Sequence, residues 1–100
     1  MNTMFEFRVL GCQTWDRQDD NIDVEIVVES STRYSATFFT IRNVASLFEK
    51  NRTTGECASG TYLWAANMIL VRDLERETIR TAIDDLVKSG EIETACYRHS

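Results

Sequence analysis

The 100 residues include no proline, one histidine, four glycines and three cysteines, and no long apolar run. Each shortage excludes something. No stretch approaches the ~20 apolar residues that cross a bilayer as a helix, so no membrane span is expected. Cys12, Cys57 and Cys96 are odd in number and far apart, which rules out a complete disulfide framework and fits plain thiols. There is no CxxC pair and the lone His99 stands next to the last residue, so no zinc or other metal site is expected. Nucleophilic catalysis needs a thiol or hydroxyl beside an oriented base, and His99 is the only imidazole. The expectation is therefore no catalytic residue and no cofactor. Without a linker, an internal repeat or a low-complexity tract, residues 1–100 read as one domain. The opening residues lack a basic segment followed by an apolar stretch and a small-residue cleavage site. The expected setting is cytoplasmic.

Charge is present in quantity, and it is unevenly placed. Residues 1–30 carry seven acids against two bases, and residues 31–100 carry nine of each, so the formal excess of −5 comes from the first segment. A concentration of one sign on a small molecule steers cationic partners and repels nucleic acid. With no clustered Lys/Arg face, nucleic-acid binding is not expected.

Periodicity gives the elements. Residues 5–9, 22–29 and 33–39 alternate apolar and polar side chains with period two, which predicts three strands in an antiparallel meander. Thr40 reads as an N-cap, and Ile41, Val44, Ala45 and Phe48 recur with helical spacing, predicting a helix over 41–50. Residues 51–60 read as a loop. Residues 61–71 read as a long central strand, apolar on both faces at its end, with a bulge or bend at Asn67. Ile79, Ala82, Ile83, Leu86 and Val87 form the stripe of a second helix over 75–89. Gly90 follows where a left-handed cap is needed, with Ile92 placed to close a contact behind it. Residues 92–97 read as a last strand. The order βββαβαβ describes an α+β fold, a single mostly antiparallel sheet with two helices.

Three sets of residues compete as sites. Asp16, Asp19, Asp20, Asp23 and Glu25 make the acidic segment. They do not follow the EF-hand pattern, so they read as solvated acids able to meet a basic partner surface. Trp15, at the edge of that segment, reads as an exposed aromatic anchor of the kind that dominates interface energetics. Glu56, Cys57, Tyr62 and Trp64 could line a pocket between the 53–60 loop and the following strand. This loop lacks the GK[ST] ending of a phosphate cradle, and Glu56 would repel phosphate. Cys57, flanked by glycines, is the thiol expected to be most accessible, with Cys12 and Cys96 in strands. Tyr62 and Trp64 are either core or an open anchor patch, depending on which sheet face they share.

Several segments resemble small bacterial proteins, some of them suspected immunity proteins of polymorphic toxin systems. These are Thr54-Gly55-Glu56, then Gly60-Thr61-Tyr62-Leu63-Trp64 running into Met68-Ile69-Leu70-Val71, and Glu77-Thr78-Ile79 opening a helix that ends Lys88-Ser89-Gly90-Glu91. The resemblance spans residues 22–95 and carries no catalytic or binding residue with it. It implies a bacterial binding protein without a cofactor. The expected function is a non-enzymatic protein-binding module, in its narrow form an immunity-type inhibitor that meets a basic toxin surface with its acidic segment. Two other readings stay open: a small enzyme or ligand-binding domain using residues 53–64, and a homodimer with a self-complementary sheet face or edge.

Overall fold

The computed structural model describes residues 4–99. The elements run β1 (Phe5–Leu10), β2 (Asn21–Val28), β3 (Thr32–Thr40), α1 (Ile41–Thr54), α2 (Glu56–Gly60), β4 (Met68–Val71), α3 (Arg76–Ser89), α4 (Ile92–Ala95) and β5 (Tyr97–His99). This is the expected α+β class with one mostly antiparallel sheet, in the fuller order βββααβααβ. The strands lie β1-β2-β3-β4, with β5 also on β3. Strand β3 therefore shares one edge between two partners: β5 runs antiparallel to Arg33–Ser35, and β4 runs parallel to Thr37–Thr40.

Alternation decides the core. Ile22, Val24 and Ile26 of β2 face Phe38, Ala36 and Tyr34 of β3 across the ladder, and all six are buried. Helix α3 lays Ile79 and Ile83 on this face, joined by Leu74, Ile92 and Cys96. Phe38, Ile26, Ile79 and Ile83 are among the side chains fully withdrawn from water. At ~25 cal/mol per Å² of apolar area removed, this layer is the main source of stability. The opposite sheet face carries Asp23, Glu25, Arg33, Ser35 and Thr37, with Phe39 buried at its α1 end.

The three-strand meander and the Thr40 cap stand as read; Thr40 Oγ1 accepts from the Asn43 N–H at 3.0 Å. Gly90 adopts the left-handed cap with φ 81°, and its N–H reaches Val87 O. Three expectations are corrected. Helix α1 does not stop near residue 50 but continues to Thr54, because Gly55 at φ 85° is where the chain can turn left-handed and close on Asn51 O. Residues 61–67 do not pair, and only Met68–Val71 form the strand. Thr37–Thr40 is the only part of the β3 edge left over once β5 has taken Arg33–Ser35, and Asn67 at φ 53° breaks the strand just before it begins. Residues 92–95 are a helical turn rather than a strand. Ile92 and Cys96, four apart, both point into the core, on the spacing of one helical turn.

Candidate functional site

The molecule is long for its mass, 48 × 25 × 23 Å with a radius of gyration of 14.5 Å, where a 100-residue domain has about 13 Å. Its surface is 6565 Å², roughly 750 Å² more than a compact 11.5 kDa monomer shows. Helices α1 and α2 and residues 61–67 together make an arm that follows β3. Helix α1 leaves the end of β3 and packs chiefly against α2. Val44, Leu47 and Phe48 lie along it with Asn51, the one residue of the helix that is buried.

The tip of the arm turns by an unusual route. Cys57, Ala58 and Ser59 all take left-handed dihedrals, with φ from 50° to 57°, between Gly55 and Gly60. Non-glycine residues resist this conformation by about 1–2 kcal/mol each. Thr61 ties the turn off, its N–H donating to Cys57 O at 3.0 Å and its hydroxyl to Ala58 O at 2.7 Å. Gly60 is required twice over: φ is 81°, and a Cβ there would stand 2.7 Å from the Phe48 carbonyl oxygen of α1.

The arm leaves three large apolar side chains in water: Trp64 is 70% exposed, Ile41 66% and Tyr62 50%. The question of whether Tyr62 and Trp64 are core is thereby answered, because neither lies on a paired strand and neither joins the core cluster. Glu56 is exposed and Cys57 half-buried, so the four do not enclose a pocket. A groove of about 380 Å³ on the open face of the sheet is lined by Leu10, Asp23, Ser35, Thr37, Asn67 and Tyr97 among others.

The acidic segment is more ordered than its composition suggests. Asp16 Oδ1 accepts from the Gln18 and Asp19 N–H groups, and Asp20 accepts the Asp16 and Asn21 N–H groups on separate oxygens. Asp19 reaches α1, taking Asn43 Nδ2 on one oxygen at 3.0 Å and Ser46 Oγ on the other at 2.9 Å. The Asn43 and Ser46 bonds hold its carboxyl below the ordinary range, helped by Arg42. Asp23 accepts from Thr37 Oγ1, and Glu25 pairs with Arg8 and Arg33 on the sheet face. The solvated turn is thus a hydrogen-bonded brace between β2 and α1, with fixed carboxylates.

Trp15 is not the exposed anchor expected. It is half-buried against the core, its Nε1 donates to Leu74 O at 2.8 Å, and the guanidinium groups of Arg17 and Arg76 lie 4.3 Å and 5.3 Å from its ring centre. The contact gathers acids far apart in the sequence: Asp73 and Glu75 join the loop, with Leu74 N–H on Arg17 O at 2.7 Å and Glu75 3.9 Å from Arg17. Hydrogen bonds from Thr78 Oγ1 and the Glu75 N–H hold the Asp73 carboxyl low. Nothing in the spacing signals this junction; the one hint is a tryptophan amid acids.

The nearest approach to a nucleophile and base is Ser35 Oγ, 3.0 Å from His99 Nε2. His99 sits in β5, its ring edge-on to Tyr97 at 4.9 Å. Both nitrogen and hydroxyl lie on the open sheet face, and no carboxylate among the described residues hydrogen-bonds the other ring nitrogen.

The chain matches no family model, no curated protein and no solved structure. The resemblance to immunity proteins thus rests on the quoted segments alone.

Proposed function

We propose that this protein is a non-enzymatic protein-binding module whose contact surface is the arm. The observation that supports it is the exposure of Trp64, Tyr62 and Ile41 on the arm. Tryptophan and tyrosine are the side chains from which interfaces draw most of their energy, and stranding them in water is otherwise unfavourable.

The acidic loop, not the arm, supports a basic partner: residues 41–67 hold three bases (Arg42, Lys50, Arg52) against two acids (Glu49, Glu56) and are close to neutral, while the acidic excess lies in residues 1–30. Asp16, Asp19, Asp20 and Asp23 then steer association from beside the arm's root while the aromatics hold the complex. The narrower form, an immunity-type inhibitor covering the basic cleft of a toxin, follows the resemblance and the same charge logic. A small-ligand reading has one observation in its favour, the groove beside Ser35, His99 and Asp23.

The test compares the proteins retained from a cell extract by wild type and by Trp64→Ser/Tyr62→Ser. The expected result is a retained protein that the variant loses while its circular dichroism and melting curve stay unchanged. Equal retention by both would overturn the arm as the contact surface, and loss only on Ser35→Ala/His99→Ala would favour the groove.

A further inference from the structure

Strand β1 is the edge of the sheet, paired with β2 on one side only. The direction of its free backbone groups follows from one bond. Glu29 N–H donates to Met4 O at 2.8 Å, and the register pairs Phe5 with Val28, so Met4 and Glu29 form a hydrogen-bonded pair. Such pairs recur at every second residue of an antiparallel ladder. Glu6 and Arg8 therefore spend their backbone groups on β2, and the N–H and C=O groups of Phe5, Phe7 and Val9 point outward.

The sequence of this edge is its own complement. Turned about a two-fold axis through Phe7, it places Phe5 opposite Val9 of a second copy and Phe7 opposite Phe7. Those are the three residues whose backbone groups are free, so the ladder closes with two bonds at each pair. On the packed face Phe5, Phe7 and Val9 already lie against the core, and the second copy continues that layer. On the open face Glu6 meets Arg8 of the other copy, twice. A parallel pairing in line would instead oppose Glu6 to Glu6 and Arg8 to Arg8, so the charges select the antiparallel register. Arg8 is already held by Glu25 at 3.0 Å, and Glu6 faces Val27 with no ion-pair partner among the described residues. The pairing supplies that partner.

We propose that the protein forms a two-fold homodimer through antiparallel β1–β1 pairing centred on Phe7, making one continuous sheet with both arms left free. This surface is separate from the arm, and it stands or falls independently of the function proposed above.

Sedimentation velocity of the full chain from low to high micromolar concentration should show a dimer for wild type. Glu6→Arg removes two attractions and adds two repulsions, so the association constant should fall roughly tenfold or more. Arg8→Glu should do the same. The first variant has an edge basic at both positions and the second an edge acidic at both. Mixed one to one, they set opposite charges against each other at every contact, and a heterodimer should return. If Arg8→Glu does not fold by circular dichroism, Glu6→Arg against wild type decides alone. Amide exchange should show the Phe5, Phe7 and Val9 N–H groups slowing as concentration rises. A monomeric wild type, a Glu6→Arg variant as dimeric as wild type, or a dimer in which those three amides exchange freely would each overturn the proposal. The last outcome would move self-association to another surface.

Discussion

Tyr34 and Glu93 bind α4 to the middle of the sheet: the phenolic O–H donates to Glu93 Oε2 at 2.6 Å, while Arg98 holds Oε1 at 2.8 Å. That bond lowers the Glu93 carboxyl and raises the Tyr34 phenol from its ordinary 10.0. The two shifts act at opposite ends of the pH scale. Glu93, Asp19 and Asp73 have depressed folded values, so the stability they contribute is present above the unfolded carboxylate range and is lost as pH falls through the folded values. Tyr34 contributes below its unfolded value and loses that contribution as pH rises through the raised one. Melting temperature should therefore fall on both the acid and the alkaline side, and Tyr34→Phe should make the alkaline limb shallower, leaving the share of the buried Cys96 thiol. An unchanged alkaline limb would show that the bond is not formed in solution.

Gly60→Ala should destabilise far more than Gly90→Ala. Both glycines sit at φ 81°, but a Cβ at Gly90 meets nothing within 4 Å, whereas at Gly60 it strikes backbone. Denaturant titration should show about 1 kcal/mol for Gly90→Ala and roughly 2 kcal/mol or more for Gly60→Ala. Equal losses would place the 55–60 turn away from α1.

Within the acidic loop the aspartates are not equivalent. Asp20 accepts a backbone N–H on each oxygen, and an asparagine would turn a donor toward one of them. Asp20→Asn should cost about 1–2 kcal/mol. Asp23 accepts from a hydroxyl, which asparagine's oxygen can replace, so Asp23→Asn should melt like wild type. Replacing Asp16, Asp19, Asp20 and Asp23 together would therefore mix lost bracing with lost steering, whereas Asp23→Asn isolates the charge.

Alkylation of the native protein should modify Cys12 first, then Cys57, and Cys96 last. Cys12 is exposed in the loop after β1, not in a strand, while Cys57 is half-buried in the left-handed turn. Burial pushes the Cys96 thiol up to about 11, leaving little thiolate near neutral pH. Peptide mapping with Cys57 labelled ahead of Cys12 would contradict this order.

Replacing Trp15 by Phe should lower stability by about 1–2 kcal/mol, because the Leu74 carbonyl loses its donor in a half-buried place. A change below the error of a denaturant titration would return Trp15 to the surface.

The parts legible in the sequence were those governed by local rules. Ile22, Val24 and Ile26 alternate because one face of β2 is buried, and the Ile79–Ile83 stripe and Gly90 obey helical periodicity and capping. What escaped was set by competition between distant segments. Residues 61–67 have the composition of a strand, yet β5 occupies the edge they would need. Ile92 is apolar in either a strand or a helix, and only Cys96 four residues on settles which. Trp15 among five acids looked exposed because its acceptor, Leu74 O, lies 59 residues away. For the arm, the sequence supplied the aromatics but not their exposure, which follows from residues 61–67 staying unpaired.

The shared edge of β3 also sets an order of events during synthesis. Ser35 meets His99 across 64 residues, so after β4 has taken Thr37–Thr40, the Arg33–Ser35 stretch of β3 still waits unpaired on that flank until β5 has been made. Contacts that span so much of the chain close slowly. In that interval the nascent protein offers a bare strand edge to its neighbours, and a chaperone that shields it would raise the yield of folded protein without touching the arm.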